Sequence, residues 1–173
     1  MALGKNYERQ DCSFARALEL LGERWTLLLV RDAFYGVRRY ADFLAHLDIP
    51  RAVLAERLRT LTEAGVLARH RYSDSPPRDE YVLTERGREL WGMLHQLGQW
   101  GERHTSAGGP RRLFSHADCD APLDPRGVCE RCDRLVPPEE VEVRPGPGAR
   151  DDLRDDPVSR ALRQPHRLLE PLL

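Results

Sequence analysis

Apolar positions between residues 12 and 104 recur mostly at helical spacing, interrupted once by a stretch of strand character. Phe14, Ala17, Leu18 and Leu21 follow the i, i+3, i+4, i+7 rhythm and predict a helix over 12–21 that Gly22 interrupts. From Arg24 onward, Trp25, Leu28, Leu29 and Ala33 share one face, with Leu27 and Val30 beside them. A helix apolar over so much of its circumference belongs at the centre of a core. Tyr40, Phe43, Leu44 and Leu47 define a third helix over 39–47, which Asp48-Ile49-Pro50 breaks. Proline suits the first turn of a following helix, where its missing N–H has no partner to lose. That helix is expected over 51–64, with Leu54, Leu58 and Leu61 inward and Gly65 as a left-handed end.

Residues 66–72 and 80–83 read as paired strands around a turn-rich loop, 73–79. Thr84 is the expected cap of one long helix over 85–104, whose apolar side carries Trp91, Leu94, Leu97 and Trp100. Ser106-Ala107-Gly108-Gly109-Pro110 signals a linker. Three units are therefore expected: 1–106, a short cysteine-bearing module over 111–145, and a tail over 146–173. The tail is rich in Pro, Gly, Asp and Arg, and disorder is predicted for most of it, with a brief helix near 158–164.

The order helix, helix, tight turn, helix, hairpin, long helix is that of a winged helix-turn-helix, mainly α with a small β-hairpin (α+β). Such a unit exposes one face of its second helix to a major groove about 12 Å wide. Burying Leu54, Leu58 and Leu61 places Ala52, Glu56 and Arg59 outward, with Arg51 near the helix start and Arg57 and Thr60 on the flanks. Arg38, Arg57, Arg71 and Arg78 are candidates for positioning the duplex through phosphate. Glu56 either reads a cytosine amino group or repels phosphate. Taken alone, the helix also fits a merely solvated amphipathic surface.

Composition sharpens this reading modestly. The net charge of −1 divides unevenly: residues 1–112 hold 18 Lys+Arg against 15 Asp+Glu, and 113–173 hold 9 against 13. The basic front half suits a polyanion partner. An apolar share of 40% can build a core, and negative mean hydropathy argues against a membrane protein. The N-terminus lacks the apolar stretch of a secretory signal, so a cytoplasmic protein with reduced thiols is expected.

Cys12 followed by Leu20-Leu21-Gly22-Glu23-Arg24-Trp25-Thr26, then Arg39-Tyr40-Ala41-Asp42-Phe43, Leu54-Ala55-Glu56-Arg57-Leu58 and Tyr81-Val82-Leu83-Thr84, resembles the HxlR-type regulators, relatives of the MarR group. The resemblance runs from Cys12 to His104. It implies a homodimer, usually a repressor, that holds together through its first and last helices and reads inverted repeats in double-stranded DNA. Large apolar side chains on the last helix support the dimer independently, although burial against the first helix of the same chain is the alternative. In the family, a cysteine at the position of Cys12 senses oxidants or electrophiles in some members. A helix N-terminus lowers a thiol pKa, and an inert, partly buried cysteine is the competing reading.

His116-x2-Cys119-x9-Cys129-x2-Cys132 presents two ligand pairs, each two residues apart, as a tetrahedral Cys3His zinc site requires. A segment this small has too little core to fold unaided, so a structural zinc would supply stability. A Cys129–Cys132 redox pair and incidental thiols remain as alternatives. Four protein ligands close the coordination sphere, and no nucleophile–base set or phosphate-cradling glycine loop is present, so no enzyme is expected. The leading expectation is a dimeric DNA-binding regulator. A redox- or small-molecule-responsive regulator using Cys12 or a dimer cleft, and a protein-interaction adaptor built on the same fold, are the other two. No residue set identifies an effector.

Overall fold

The computed structural model describes residues 7–150 and 152–173. Helix α1 (Ser13–Leu21) begins one residue after Cys12, whose extended backbone places it at the N-cap. The predicted α1 stripe is not buried within the chain: Ala15 is buried, whereas Phe14 stands in solvent. Helix α2 (Thr26–Phe34) is central as its pattern requires, with Leu29, Val30, Ala33 and Phe34 buried. Asp48, at φ 53°, ends α3 (Tyr40–Leu47), and Pro50 leads into α4 (Arg51–Glu63), which buries Leu54, Leu58 and Leu61.

The hairpin is longer than the sequence predicts. Strands β1 (Leu67–Asp74) and β2 (Pro77–Leu83) pair antiparallel from Leu67–Leu83 out to Asp74–Pro77. Only Ser75 and Pro76 lie between them. A bulge between Arg71 and Ser73 absorbs the odd residue and lets pairing continue through what reads as a loop.

The single long helix expected over 85–104 is two helices, α5 (Glu85–Arg88) and α6 (Trp91–Thr105). At the break the Leu90 N–H donates to the Gly87 carbonyl at 3.2 Å, a contact three residues back, before four-residue bonding resumes from Leu94 to Leu90. The expected cap is present, with the Gly87 N–H donating to the Thr84 hydroxyl at 3.1 Å.

Beyond α6, a four-stranded sheet runs in the order β4-β3-β5-β6, from β3 (Arg112–His116), β4 (Ala121–Pro122), β5 (Val141–Pro145) and β6 (His166–Arg167). A short helix, α7 (Pro157–Ala161), precedes β6. The predicted disorder of 146–173 is therefore overturned. Val158, Leu162 and Leu168 are fully buried, which the surrounding polar composition conceals because their burial partners lie far away in sequence. Buried residues from Leu29 to Leu168 form one contiguous cluster, so the front and back of the chain share a core. Trp91 sits at the joint, its ring 5.4 Å from Phe34 and 5.6 Å from Phe114.

The final residues thread back under the first unit. The Leu169 N–H donates to the Phe34 carbonyl at 2.8 Å, and the Leu172 N–H to the Gly36 carbonyl at 3.1 Å. Gly36 has φ 84°, and a Cβ there would sit 1.7 Å from the Glu170 carbonyl oxygen, so the strap fits only over glycine.

Candidate functional site

On α4, burial of every third or fourth residue leaves Arg51, Ala52, Ala55, Glu56 and Arg59 exposed along one face. Arg59 reaches across that face and donates to Glu56 at 2.8 Å and to Glu63 at 2.7 Å. The Thr60 hydroxyl donates back to the Glu56 carbonyl at 2.9 Å, and Arg57 is half-buried on the flank. Tyr40 pins the helix start by donating to the Arg51 carbonyl at 3.0 Å. The face is thus an ordered carboxylate–guanidinium chain with two small residues near its N-terminal end.

The wing explains its own acidic strand. Asp79 lies directly across from Arg71 and accepts from its Nε at 2.7 Å; it also accepts from Arg69. Hydrogen bonds from Arg71 and Arg69 hold the Asp79 carboxyl below the usual carboxylate range. Arg78, at the hairpin tip, is exposed and has no ion pair among the described residues. Arg38 donates to the Leu169 carbonyl at 2.9 Å and ties the strap in place, a neutral partner that leaves its charge intact.

His116, Cys119, Cys129 and Cys132 converge. The Cys119 sulfur lies 3.2 Å from His116 Nδ1, 3.5 Å from the Cys129 sulfur and 3.6 Å from that of Cys132. All four ligand atoms fall within 4.8 Å of one another. A tetrahedral zinc with bonds of about 2.0–2.3 Å has ligand edges of roughly 3.5–3.8 Å, so the set fits. The two knuckles are built alike. Each is followed by an aspartate of positive φ, Asp120 at 53° and Asp133 at 48°, whose N–H returns to the first ligand's carbonyl at 2.8 and 2.9 Å.

Outside the ligands, His116 Nε2 lies 3.2 Å from Glu140, and Arg134 bridges to the same carboxylate. That carboxylate–histidine pairing fixes which ring nitrogen faces the sulfurs. Burial alone would raise the Cys129 thiol, but N–H groups of Cys132 and Arg131 outweigh it and bring it to about 6. Hydrogen bonds with Cys119 and Cys129 push Cys132 up to about 11. Glu140 escapes a spacing argument because it stands just before β5 and outside both knuckles, whereas Arg134, two residues past Cys132, and the repeated Cys-Asp at each knuckle were readable signals.

Cys12 is exposed and free at the α1 N-terminus. Phe14 (71% exposed) and Trp100 (52%), with Met93 and Leu97, leave a large apolar surface on α1 and α6. Trp91, read from sequence as part of that surface, is instead core, because its face of α6 meets β3. Among the described residues no helix is long and apolar enough to cross a membrane.

Comparison with known proteins bears on this arrangement. The HxlR-like helix-turn-helix profile matches residues 20–108. The uncharacterized HTH-type transcriptional regulator Rv3095 of Mycobacterium tuberculosis is 45% identical over 137 residues, 79% of this chain and 87% of its own. The regulator sll1512 of Synechocystis is 37% identical, over 54% of this chain and 73% of its own. Among solved structures, PA1607, assigned as a transcription factor, matches with TM-score 0.54 and 32% identity over 87% of this chain and 97% of its own. The redox regulator HypR in its reduced form matches with TM-score 0.51 and 31% identity, over 53% of this chain and 92% of its own.

Proposed function

The chain belongs to the HxlR-like helix-turn-helix family of transcriptional regulators, and from that premise we propose that it is a homodimeric repressor that reads an inverted repeat in duplex DNA. The observation carrying this reading is the outward face of α4 beside a wing whose tip, Arg78, is unpaired among the described residues. Ala52 and Ala55 let the helix start approach the groove, and the α4 N-terminus offers N–H groups to a phosphate. Arg59 is the base reader in this scheme. Held between Glu56 and Glu63, it must exchange a carboxylate for a guanine edge, so a site without guanine there leaves the exchange uncompensated. Arg51, Arg57, Thr60 and Arg78 position the backbone. The bare apolar surface of α1 and α6 is the dimer contact, setting two α4 helices about one DNA turn apart. The Cys3His cluster holds a structural zinc, with no open position for substrate.

Fluorescence anisotropy on upstream intergenic DNA, across a salt series, tests the reading. Binding should resist nonspecific competitor and weaken steeply with salt. Arg59→Ala should lose roughly 1–3 kcal/mol on the preferred site alone, whereas Arg78→Ala should weaken all duplexes alike. Sedimentation should give a dimer that Trp100→Glu splits. No competitor-resistant binding at micromolar protein would end the proposal.

A second reading, favoured by the exposure of Cys12 and the likeness to HypR, is that oxidation of this thiol changes DNA affinity. DNA release by peroxide that persists in Cys12→Ser removes the cysteine from the mechanism.

A further inference from the structure

A hollow of about 630 Å³ lies between α2, α6, β3 and α7, inside the range of roughly 300–1,000 Å³ typical of small-molecule sites. Leu28, Phe34, Trp91 and Leu94 wall it from the front of the chain, and Phe114 and Leu162 from the back. The last two lie outside the 20–108 segment that the family profile covers. The back of the chain therefore creates this space rather than merely adjoining it.

Two features give the hollow a chemical preference. At one end, the Arg111 guanidinium donates to the Gly148 carbonyl at 2.7 Å and that of Arg112 to the Leu162 carbonyl at 2.6 Å. Carbonyl partners fix both groups without cancelling their charge. Glu102 is the one acidic wall residue, and it accepts from the Arg111 backbone N–H at 2.9 Å. Six arginines in all line the hollow against that one carboxylate, whose Oε2 is itself buried without a partner among the described residues, so the wall carries a net positive charge.

At the other end stands His95, 3% exposed. Its Nε2 lies 3.0 Å from the Asp124 carbonyl, which only accepts, so Nε2 carries the proton. Burial lowers the His95 pKa and keeps the ring neutral. Nδ1 is then a bare acceptor, buried and without a partner among the described residues. An orphan of this kind is costly unless something donates to it. His95 and Glu102 are two turns apart on α6, about 10 Å at 1.5 Å per residue. The helical wheel puts them on the side of α6 opposite Met93 and Trp100. Leu97 belongs both to the wall of the hollow and to the exposed apolar surface, so the two adjoin at that residue.

We propose that this hollow binds a small hydroxylated organic acid: an apolar body of about 10 Å between the aromatic walls, its carboxylate at Arg111 and Arg112, its hydroxyl donating to His95 Nδ1. Binding of this kind goes beyond DNA reading and is measurable without DNA. Titrating the full-length protein with 8-hydroxyoctanoate, octanoate and 1,8-octanediol, and following tryptophan fluorescence, tests it, since Trp25 and Trp91 line the space. The hydroxy acid should bind saturably, octanoate several-fold more weakly, and the diol about tenfold or more weakly. Arg112→Gln should erase the preference for acid over diol. An added Cβ at Gly98 meets nothing within 4 Å, so Gly98→Phe should fill the hollow and abolish binding while the thermal midpoint holds. The ligand series in the unmodified protein does not depend on any variant folding. No saturable response at millimolar hydroxy acid, a diol or octanoate that binds as tightly, or affinities unchanged in both variants would overturn the proposal.

Discussion

Asp79 accepts from both Arg69 and Arg71, so two of the three arginines on the wing are partly neutralised before any duplex arrives. On the proposed DNA-binding reading, the acidic returning strand limits nonspecific attraction to phosphate and leaves Arg78 as the wing arginine with no ion pair among the described residues. Asp79→Asn should strengthen binding to all duplexes and steepen the dependence of log affinity on log salt by roughly 1 to 2, one slope unit for each phosphate neutralised. An unchanged slope would show that neither arginine reaches DNA once released. Pairing across a hairpin is a matter of register. The sequence displays Asp79 and Arg71 but not that they stand opposite each other, because that depends on a bulge no composition rule locates.

At the scale of elements, α7 is a five-residue helix that would not persist without its ends secured. Asp156 caps it, accepting from the Ser159 N–H at 3.0 Å and from the Ser159 hydroxyl at 2.6 Å, and it also meets His46 of α3 at 3.3 Å. Burial would raise the Asp156 pKa, but these partners bring it down to about 2. A native value below the unfolded one stabilises fully above the ordinary carboxylate pKa of about 3.9 and loses that stabilisation as pH falls from there through about 2. Asp156→Ala should therefore lower the melting temperature at pH 6, at a cost of about 1 kcal/mol typical of a lost cap. The gap between variant and native protein should narrow toward pH 3 in parallel thermal melts. The helices of the front half were legible because each carries its own apolar period and stop signal. Helix α7 and β6 were not, because Val158, Leu162 and Leu168 are scattered among prolines and arginines and acquire a core only by docking on α3 and β5. The α5–α6 break was hidden too, since Gly87 looks like any helix glycine until Val66 is beside it; a Cβ there would lie 2.2 Å from the Val66 carbonyl oxygen.

The described residues share one core, to which both a metal-competent knuckle and a backbone strap are tied, and Arg167 at the start of the strap meets Asp118 of the knuckle at 3.7 Å. Removing zinc should therefore unsettle more than the knuckle. Chelation, or Cys129→Ser, should expose Phe114 and through it Trp91. The unfolding midpoint should then fall by well over the roughly 2–4 °C that 1 kcal/mol is worth in a chain of this size. Metal analysis should give one zinc per chain in the native protein; a metal-free preparation with an undiminished midpoint would defeat that reading. Gly36→Ala acts on the strap instead. Left-handed backbone at a non-glycine residue costs about 1–3 kcal/mol by itself, and the Glu170 carbonyl must also move. Hydrogen exchange should show residues 168–173 released while α4 stays protected. The strap has a further consequence for the order in which the chain can fold. The Arg38–Leu169 bond closes a loop of 131 residues, whereas the helices and hairpin of the front half form from near neighbours. Local pieces should condense early and wait for the slowest closure, since distant contacts are reached late and against chain entropy. Removing the last six residues of the sequence is then a lesion of the DNA-facing half: Phe34, Gly36 and Arg38 would keep their places in the sequence and lose their partners.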